Sequence, residues 1–207
     1  CDIEVLKAGA LTAGALLTPQ GKMLFDFLVG REGELYFIDC RDDIAADLAK
    51  RLRFYRLRAK VEIEMQEQAL VSVWFQVESG GSEVESYADL RFPAQLHVTR
   101  SYGAIQKDDA GPAAYELLRI QSGVTEGGSD YVFGDVFPHD INLDQIKGVS
   151  FSKGCYVGQE VVSRMQHRGT ARRRAVTTTP APAKAAAPHG TSAPGTEPRT
   201  SGKGRQS

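Results

Sequence analysis

Leu16–Cys40 reads "LLTPQGKMLFDFLVGREGELYFIDC". Two turn signals divide it: Pro19-Gln20-Gly21 first, then the glycine-flanked "GREGE" of Gly30–Glu34. Between them Met23, Phe25, Phe27 and Val29 alternate with Lys22, Leu24, Asp26 and Leu28. A period of two places these sets on opposite faces of a strand. "GALLT" before the first turn and "LYFIDC" after the second complete a meander, with aromatic pairs across its strands.

A helix is expected next, with Asp42 or Asp43 as its N-cap and Ile44, Leu48, Leu52 and Tyr55 facing inward. Arg51, Arg53, Arg56 and Arg58 crowd its C-terminal end, where cations suit the helix dipole, and read as a solvated basic face. "KVEIEM" (60–65), "LVSVWFQV" (70–77) and "DLRFPAQLHVTR" (89–100) are expected strands. Hairpin, helix, hairpin in this order means α+β with an antiparallel sheet, and not a parallel doubly wound one.

"GPAAYELLRIQSGV" (111–124) reads as a short helix with Tyr115, Leu118 and Leu117 inward. "EGGSDYVFGDVFPHDINLDQ" (126–145) is a turn-rich loop of the kind that builds a site on a scaffold. Beyond Arg174 the chain holds five of its nine prolines and no aromatic residue, so it is expected to be disordered or linker-like.

Composition sets the outer limits. The net charge of −1 gives no global case for nucleic acid or membrane binding, and no apolar run approaches a membrane span. Three scattered cysteines, Cys1, Cys40 and Cys155, form neither a disulfide framework nor a metal-ligand pair; a reducing cytoplasmic compartment is expected.

Chemistry concentrates in "KGCYVGQEVVSRMQHRG", Lys153–Gly169. Gly154 and Gly158 bracket Cys155-Tyr156-Val157 ahead of a helix with Val161, Val162 and Met165 on one face and Glu160 paired to Arg164 on another. A thiol near a helix N-terminus with Lys153 close by favours the thiolate; the alternative is a small buried hydrophobe. His139 and His167 read as loop or surface histidines.

"KGCYVGQE", with its flanks "GVSF" and "HRGTARRR", resembles the signature of the YgfZ-type folate-binding proteins. These are relatives of the glycine-cleavage T-protein, and the group includes a mitochondrial iron–sulfur assembly factor. "LLTPQGKMLFDFLV" and "YELLRIQSGV…DYVFGDVFPHDINLDQIKGVSF" carry the similarity across Asp2–Arg174. The resemblance implies T-protein-like folate-binding lobes built on antiparallel sheets with packed helices. They would comprise a partial first lobe over 1–78, a second lobe over 79–174 and the tail over 175–207. The family's N-terminal segment and C-terminal barrel have no counterpart here, so the expectation is a chain truncated at both ends.

Tetrahydrofolate or a one-carbon derivative is the implied cofactor. Lys153, Gly154, Cys155, Tyr156, Gly158, Gln159, Glu160 and Arg164 match the motif residue by residue. Tyr115 falls where the family has a folate-associated aromatic residue. Arg119 would pair with a folate carboxylate or form a structural salt bridge. Asp26 lies where the T-protein has an acid near the folate nitrogen; the alternative is an exposed carboxylate on a strand.

The function implied is an accessory factor of iron–sulfur cluster assembly or repair, acting with the assembly machinery and cluster-containing clients and indirectly supporting tRNA methylthiolation. A tetrahydrofolate-dependent aminomethyltransferase with Asp26 as acid/base is the alternative. Direct RNA binding through "HRGTARRR" is not expected, because its arginines lack interleaved aromatics.

Overall fold

The computed structural model describes residues 1–66, 70–75, 85–103, 111–169 and 172–178, and residues Cys1–Thr177 form one compact unit. The opening stretch is the hairpin that its pattern calls for. Strand β1 (Ala10–Leu17) pairs antiparallel with β2 (Met23–Glu32), and β2 with β3 (Leu35–Asp39). The first turn closes through Thr18 N to Lys22 O (2.8 Å) and Gly21 N to Thr18 O (2.8 Å), with a bulge between Leu16 and Leu17.

Helix α1 (Asp42–Tyr55) follows, then β4 (Val71–Trp74), β5 (Tyr87–Asp89) and β6 (Thr99–Tyr102). The strands form one six-stranded sheet in the order β3-β2-β1-β5-β6-β4, drawing strands from both sides of residue 78. One pairing departs from the antiparallel expectation: β1 and β5 run parallel, Ala10 beside Ala88 and Leu11 beside Asp89. Helices α2 (Gly111–Gln121) and α3 (Gln159–Arg168) complete the elements, and the chain is α+β. No helix among the described residues is long and apolar enough to cross a membrane.

Several local expectations are corrected. "KVEIEM" forms no strand, and two of its carbonyls accept from arginines and not from a ladder. Arg53 donates to Ile63 O (3.0 Å) and Arg56 to Val61 O (3.3 Å), so these two side chains of the supposed solvated face tie down the following segment. Helix α1 has Arg41, and neither aspartate, at its N-cap position, without a side-chain cap hydrogen bond, and Asp42 and Asp43 in its first turn. It buries Leu48 and Ala49 and leaves Tyr55 exposed. "DLRFPAQLHVTR" breaks at a 3-10 turn, Ala94–Leu96, between β5 and β6. On α2, Leu118 and Arg119 face inward and Leu117 is exposed. The segment "ESGGSE" and the end of "LVSVWFQV" lie outside the described residues, as does the tail from Thr179. Ala175–Thr177 are tied down: Ala175 N donates to Asp140 O (2.8 Å) and Thr177 Oγ1 to Ile120 O (3.1 Å).

The loop after α2 supplies much of the core. Its Tyr131, Ile141 and Leu143 pack with Ala13 and Met23 of the hairpin, flanked by Phe133, Val136 and Val149. A second cluster joins Leu11, Leu28 and Tyr87, and a third joins Phe92, Val98, Leu118 and Val124. Leu28, expected on the polar face of its strand, is buried because Tyr87 and the flanking Phe37 and Tyr102 cover it.

Candidate functional site

The motif loop leads into α3 through Gly158, whose φ of 81° is the left-handed conformation that glycine adopts freely. A Cβ there would lie 2.6 Å from Thr18 O and 2.7 Å from the Gly21 Cα. Gly21 has φ 78°, and a Cβ on it would meet Val161 at 3.1 Å. The first hairpin turn and the start of the motif helix are therefore fitted backbone to backbone, with Val162 fully buried behind them.

Gln159 Oε1 accepts from the Tyr156 backbone N–H (3.3 Å), which ties the loop to the helix start. The Lys153 ammonium sits 5.2 Å from the centroid of the Tyr156 ring. The Tyr156 hydroxyl is buried with no partner among the described residues, and burial pushes its phenol up. Lys153, Tyr156 and Val157 line a cavity of about 180 Å³ with Leu16, Leu17, Leu143 and Val149.

Cys155 is exposed, which removes the reading of a buried hydrophobe. Its thiol precedes the helix by more than the cap residue, since α3 begins only at Gln159. Beyond its chain neighbours, nothing among the described residues lies within 4 Å of where a Cβ on Gly154 would be. Glu160 pairs with Arg164 on the exposed side of α3. Met165 is partly buried.

Asp26 is in a different environment. It pairs across the hairpin with Ala15, on the face that the 124–149 loop covers, and is only partly exposed. Its Oδ2 accepts from Gly127 N (2.8 Å) and from the Tyr131 hydroxyl (2.8 Å). Burial, and then the Asp26 charge, push the Tyr131 phenol up, so it stays a donor. Arg41 braces the same loop, donating to Gly127 O (2.8 Å) and Ser129 Oγ (3.0 Å) while paired with Asp43. Nearby Cys40 has its thiol pushed up to about 11 by burial and by the surrounding carboxylates, Asp39 and Asp26 first among them.

Tyr115 and Arg119 are committed within the chain. Arg91 (3.1 Å) and Arg100 (2.6 Å) both donate to the Tyr115 hydroxyl, and the Arg100 guanidinium stacks over its ring at 5.4 Å. Arg100 also bridges the fully buried Asp89 (3.0 Å) and Asp39 (2.9 Å), and Arg91 forks onto Asp89. Burial opposes charge on Asp89, but the two guanidiniums outweigh it and hold its carboxyl below the usual carboxylate range. Arg119, buried, donates to Val124 O (2.8 Å), Glu116 (2.8 Å) and Asp130. Asp130 also accepts from Glu126 N (2.8 Å), so Arg119 anchors the loop that grips Asp26.

The structure thus gathers Lys153, Tyr156, Gly158 and Gln159 at the hairpin turn. It links Asp26 to Arg119 through one loop, and it sets Tyr115 in a separate ion network. Among the described residues no hydrogen bond or ion pair joins the motif loop to Asp26, Tyr115 or Arg119.

Sequence reasoning missed Tyr131 and Arg100, whose partners Asp26 and Asp39 come from distant segments, and also Asp89 with Arg91, although these two stand only two residues apart in one expected strand. His139, expected at the surface, is buried. Its Nε2 meets Gln166 Oε1 of α3 at 3.1 Å, and its Nδ1 has no partner among the described residues. Two arginines of "ARRR" are paired, Arg174 with Asp144 (2.5 Å) and Arg173 with Asp140 (3.6 Å). No group of three His, Cys, Asp or Glu among the described residues could hold a metal ion.

No family model matches the chain. It is 32% identical over 188 residues to the mitochondrial iron–sulfur cluster assembly factor IBA57 homolog of Neurospora crassa, covering 76% of this chain and 42% of that protein. It is 30% identical over 184 residues to the human mitochondrial iron–sulfur cluster assembly factor IBA57, covering 76% of this chain and 50% of that one. The chain spans about half the length of these relatives or less. Their names are mitochondrial, which overturns the cytoplasmic expectation. They support the iron–sulfur assembly side of the resemblance without singling out its YgfZ-type label. Over three quarters of its length, this chain is homologous to part of the mitochondrial iron–sulfur cluster assembly factors called IBA57.

Proposed function

We propose that the chain serves mitochondrial iron–sulfur cluster assembly or repair. It would act with the assembly machinery and cluster-containing client enzymes, bind tetrahydrofolate or a one-carbon derivative, and support tRNA methylthiolation indirectly. The observation that carries this reading is the exposed Cys155 thiol on a loop anchored at Gly158, in a chain 32% identical to a cluster assembly factor. A thiol presented this way is accessible to a protein partner or its cluster.

Where folate would bind is argued from what is uncommitted. A folate carboxylate would compete with Glu116 and Asp130 for Arg119, and a stacked ring would compete with Arg100 for Tyr115. Asp26, by contrast, has an oxygen with no partner among the described residues, suited to a ring N–H. Bound folate would supply the carrier for a one-carbon unit. Direct RNA binding is not part of this reading, since Arg173 and Arg174 face acids of their own chain.

The test is complementation in cells lacking their IBA57 factor, beside a tetrahydrofolate titration followed at Trp74. The expected result is rescue by the wild-type chain, none by Cys155→Ser, and equal folate affinity for both. Full rescue by the serine variant would sink the role of the thiol, and no rescue by the wild type would sink the assembly reading for this chain.

The fixed carboxylate of Asp26 favours a second reading, a tetrahydrofolate-dependent aminomethyltransferase with Asp26 as acid/base. Robust aminomethyl transfer from a lipoylated carrier protein would put it ahead.

A further inference from the structure

Asp26 is held as a ligand-ready carboxylate is held. Both donors converge on one oxygen: the Gly127 amide and the Tyr131 hydroxyl, each 2.8 Å from Oδ2. Two donors on a single oxygen fix the plane of the carboxylate, and Oδ1 has no partner among the described residues.

The donors are themselves fixed. The Tyr131 ring is 9% exposed, packed with Ala13, Met23, Ile141 and Leu143 and set edge-on to Phe133 at 5.7 Å. Gly127 is pinned from behind by Arg41, and its missing side chain leaves the space that the Phe133 ring fills. This is a stack of supports under one carboxylate, drawn from four separate segments of the chain.

We propose that Tyr131 is a positioning residue: its hydroxyl, with the Gly127 amide braced by Arg41, orients Asp26 so that Oδ1 is offered to a ring N–H donor of a bound tetrahydropterin. The inference rests on the folate reading above and adds to it the residue that makes Asp26 a directed acceptor. Tyr131 touches the ligand only through Asp26.

Among the described residues, loss of the Tyr131 hydroxyl leaves the Gly127 amide as the one donor on Oδ2, so the carboxylate can turn and Oδ1 is no longer held toward the ligand.

The experiment is calorimetric titration of tetrahydrofolate, without oxygen, at neutral pH into wild type, Tyr131→Phe, Asp26→Asn and the double variant, with a melting curve for each. Tyr131→Phe is expected to weaken binding about tenfold. Asp26→Asn should weaken it at least as much, and the double variant should bind no worse than Asp26→Asn alone.

Additive losses in the double variant mean that Tyr131 acts independently of Asp26, as a merely structural residue would, and overturn the proposal. Unchanged affinity in Tyr131→Phe, whatever its melting temperature, overturns it as well. Absence of tetrahydrofolate binding by the wild type is the distinct outcome that removes the folate reading and this proposal with it. Should Tyr131→Phe fold poorly, Arg41→Ala carries the test from the surface side: it frees Gly127 and is expected to weaken binding in the same direction. Unchanged affinity there is equally adverse.

Discussion

Cys155 and Asp26 are the two candidate reactive groups, and the chain treats them in opposite ways. The thiol is exposed on a loop that is held on either side of it, at Lys153 and at Tyr156 and Gly158. The carboxylate is partly buried, clamped by a tyrosine, an amide and an arginine brace. An exposed group on an anchored loop suits exchange with a macromolecule. A clamped one suits orientation of a small molecule. The buried Asp89–Arg100–Asp39 network extends the second style into the sheet, where charge is tolerated because every member is paired.

The buried side should break hardest. Arg100→Met leaves Asp89 and Asp39 each short of a partner in the interior, and is expected to cost about 3–5 kcal/mol in chemical denaturation. The Asp89 carboxyl is held below its usual range, so its stabilisation is present above the ordinary carboxylate pKa and is lost as pH falls from there through the lowered folded value. Acid unfolding of the wild type should therefore steepen toward low pH. Arg100→Met, with that stabilisation already reduced, should show a flatter acid dependence.

On the loop side, two glycines of one motif should separate cleanly. Gly158→Ala forces a side chain into a left-handed φ and against the backbone of Thr18 and Gly21, with an expected loss of about 2–3 kcal/mol. Gly154→Ala meets nothing and should stay within about 0.5 kcal/mol. Equal effects would mean that the hairpin turn does not anchor the loop.

A gentler probe is thiol labelling at pH 8 with mass-spectrometric site assignment. Exposed Cys155 should label well before Cys40, which is half-buried and whose thiol is pushed up to about 11. Labelling of Cys40 first would contradict the contrast. The smallest effect is expected from Glu160→Gln, whose pair with Arg164 is exposed on both sides; the change in melting should be close to undetectable.

How much of this was legible in the sequence follows from the range of the interactions. The first hairpin could be read because alternation and turn chemistry are local, and so could the α3 pattern, with Val162 inward and Glu160 beside Arg164. "KVEIEM" alternates as well, yet Arg53 and Arg56 at the end of the preceding helix take two of its carbonyls, a competition that no period reveals. The 126–145 stretch reads as a loop that builds a site, but that its scattered Tyr131, Ile141 and Leu143 also complete the core under the hairpin has no local sign. Asp26 could be nominated by resemblance. Its clamp could not, because Tyr131 lies 105 residues away and nothing local pairs the two. The ion network around Tyr115 was hidden for the same reason, since Asp39, Asp89 and Arg100 sit on three different strands.

The central claim is that thiol and carboxylate have separate tasks, and tetrahydrofolate titration of Cys155→Ser beside Asp26→Asn tests it most directly. The account predicts wild-type affinity for Cys155→Ser and at least about tenfold weaker binding for Asp26→Asn, the cost of one charge-assisted hydrogen bond. Equal loss in the two variants, or none in either, would contradict it.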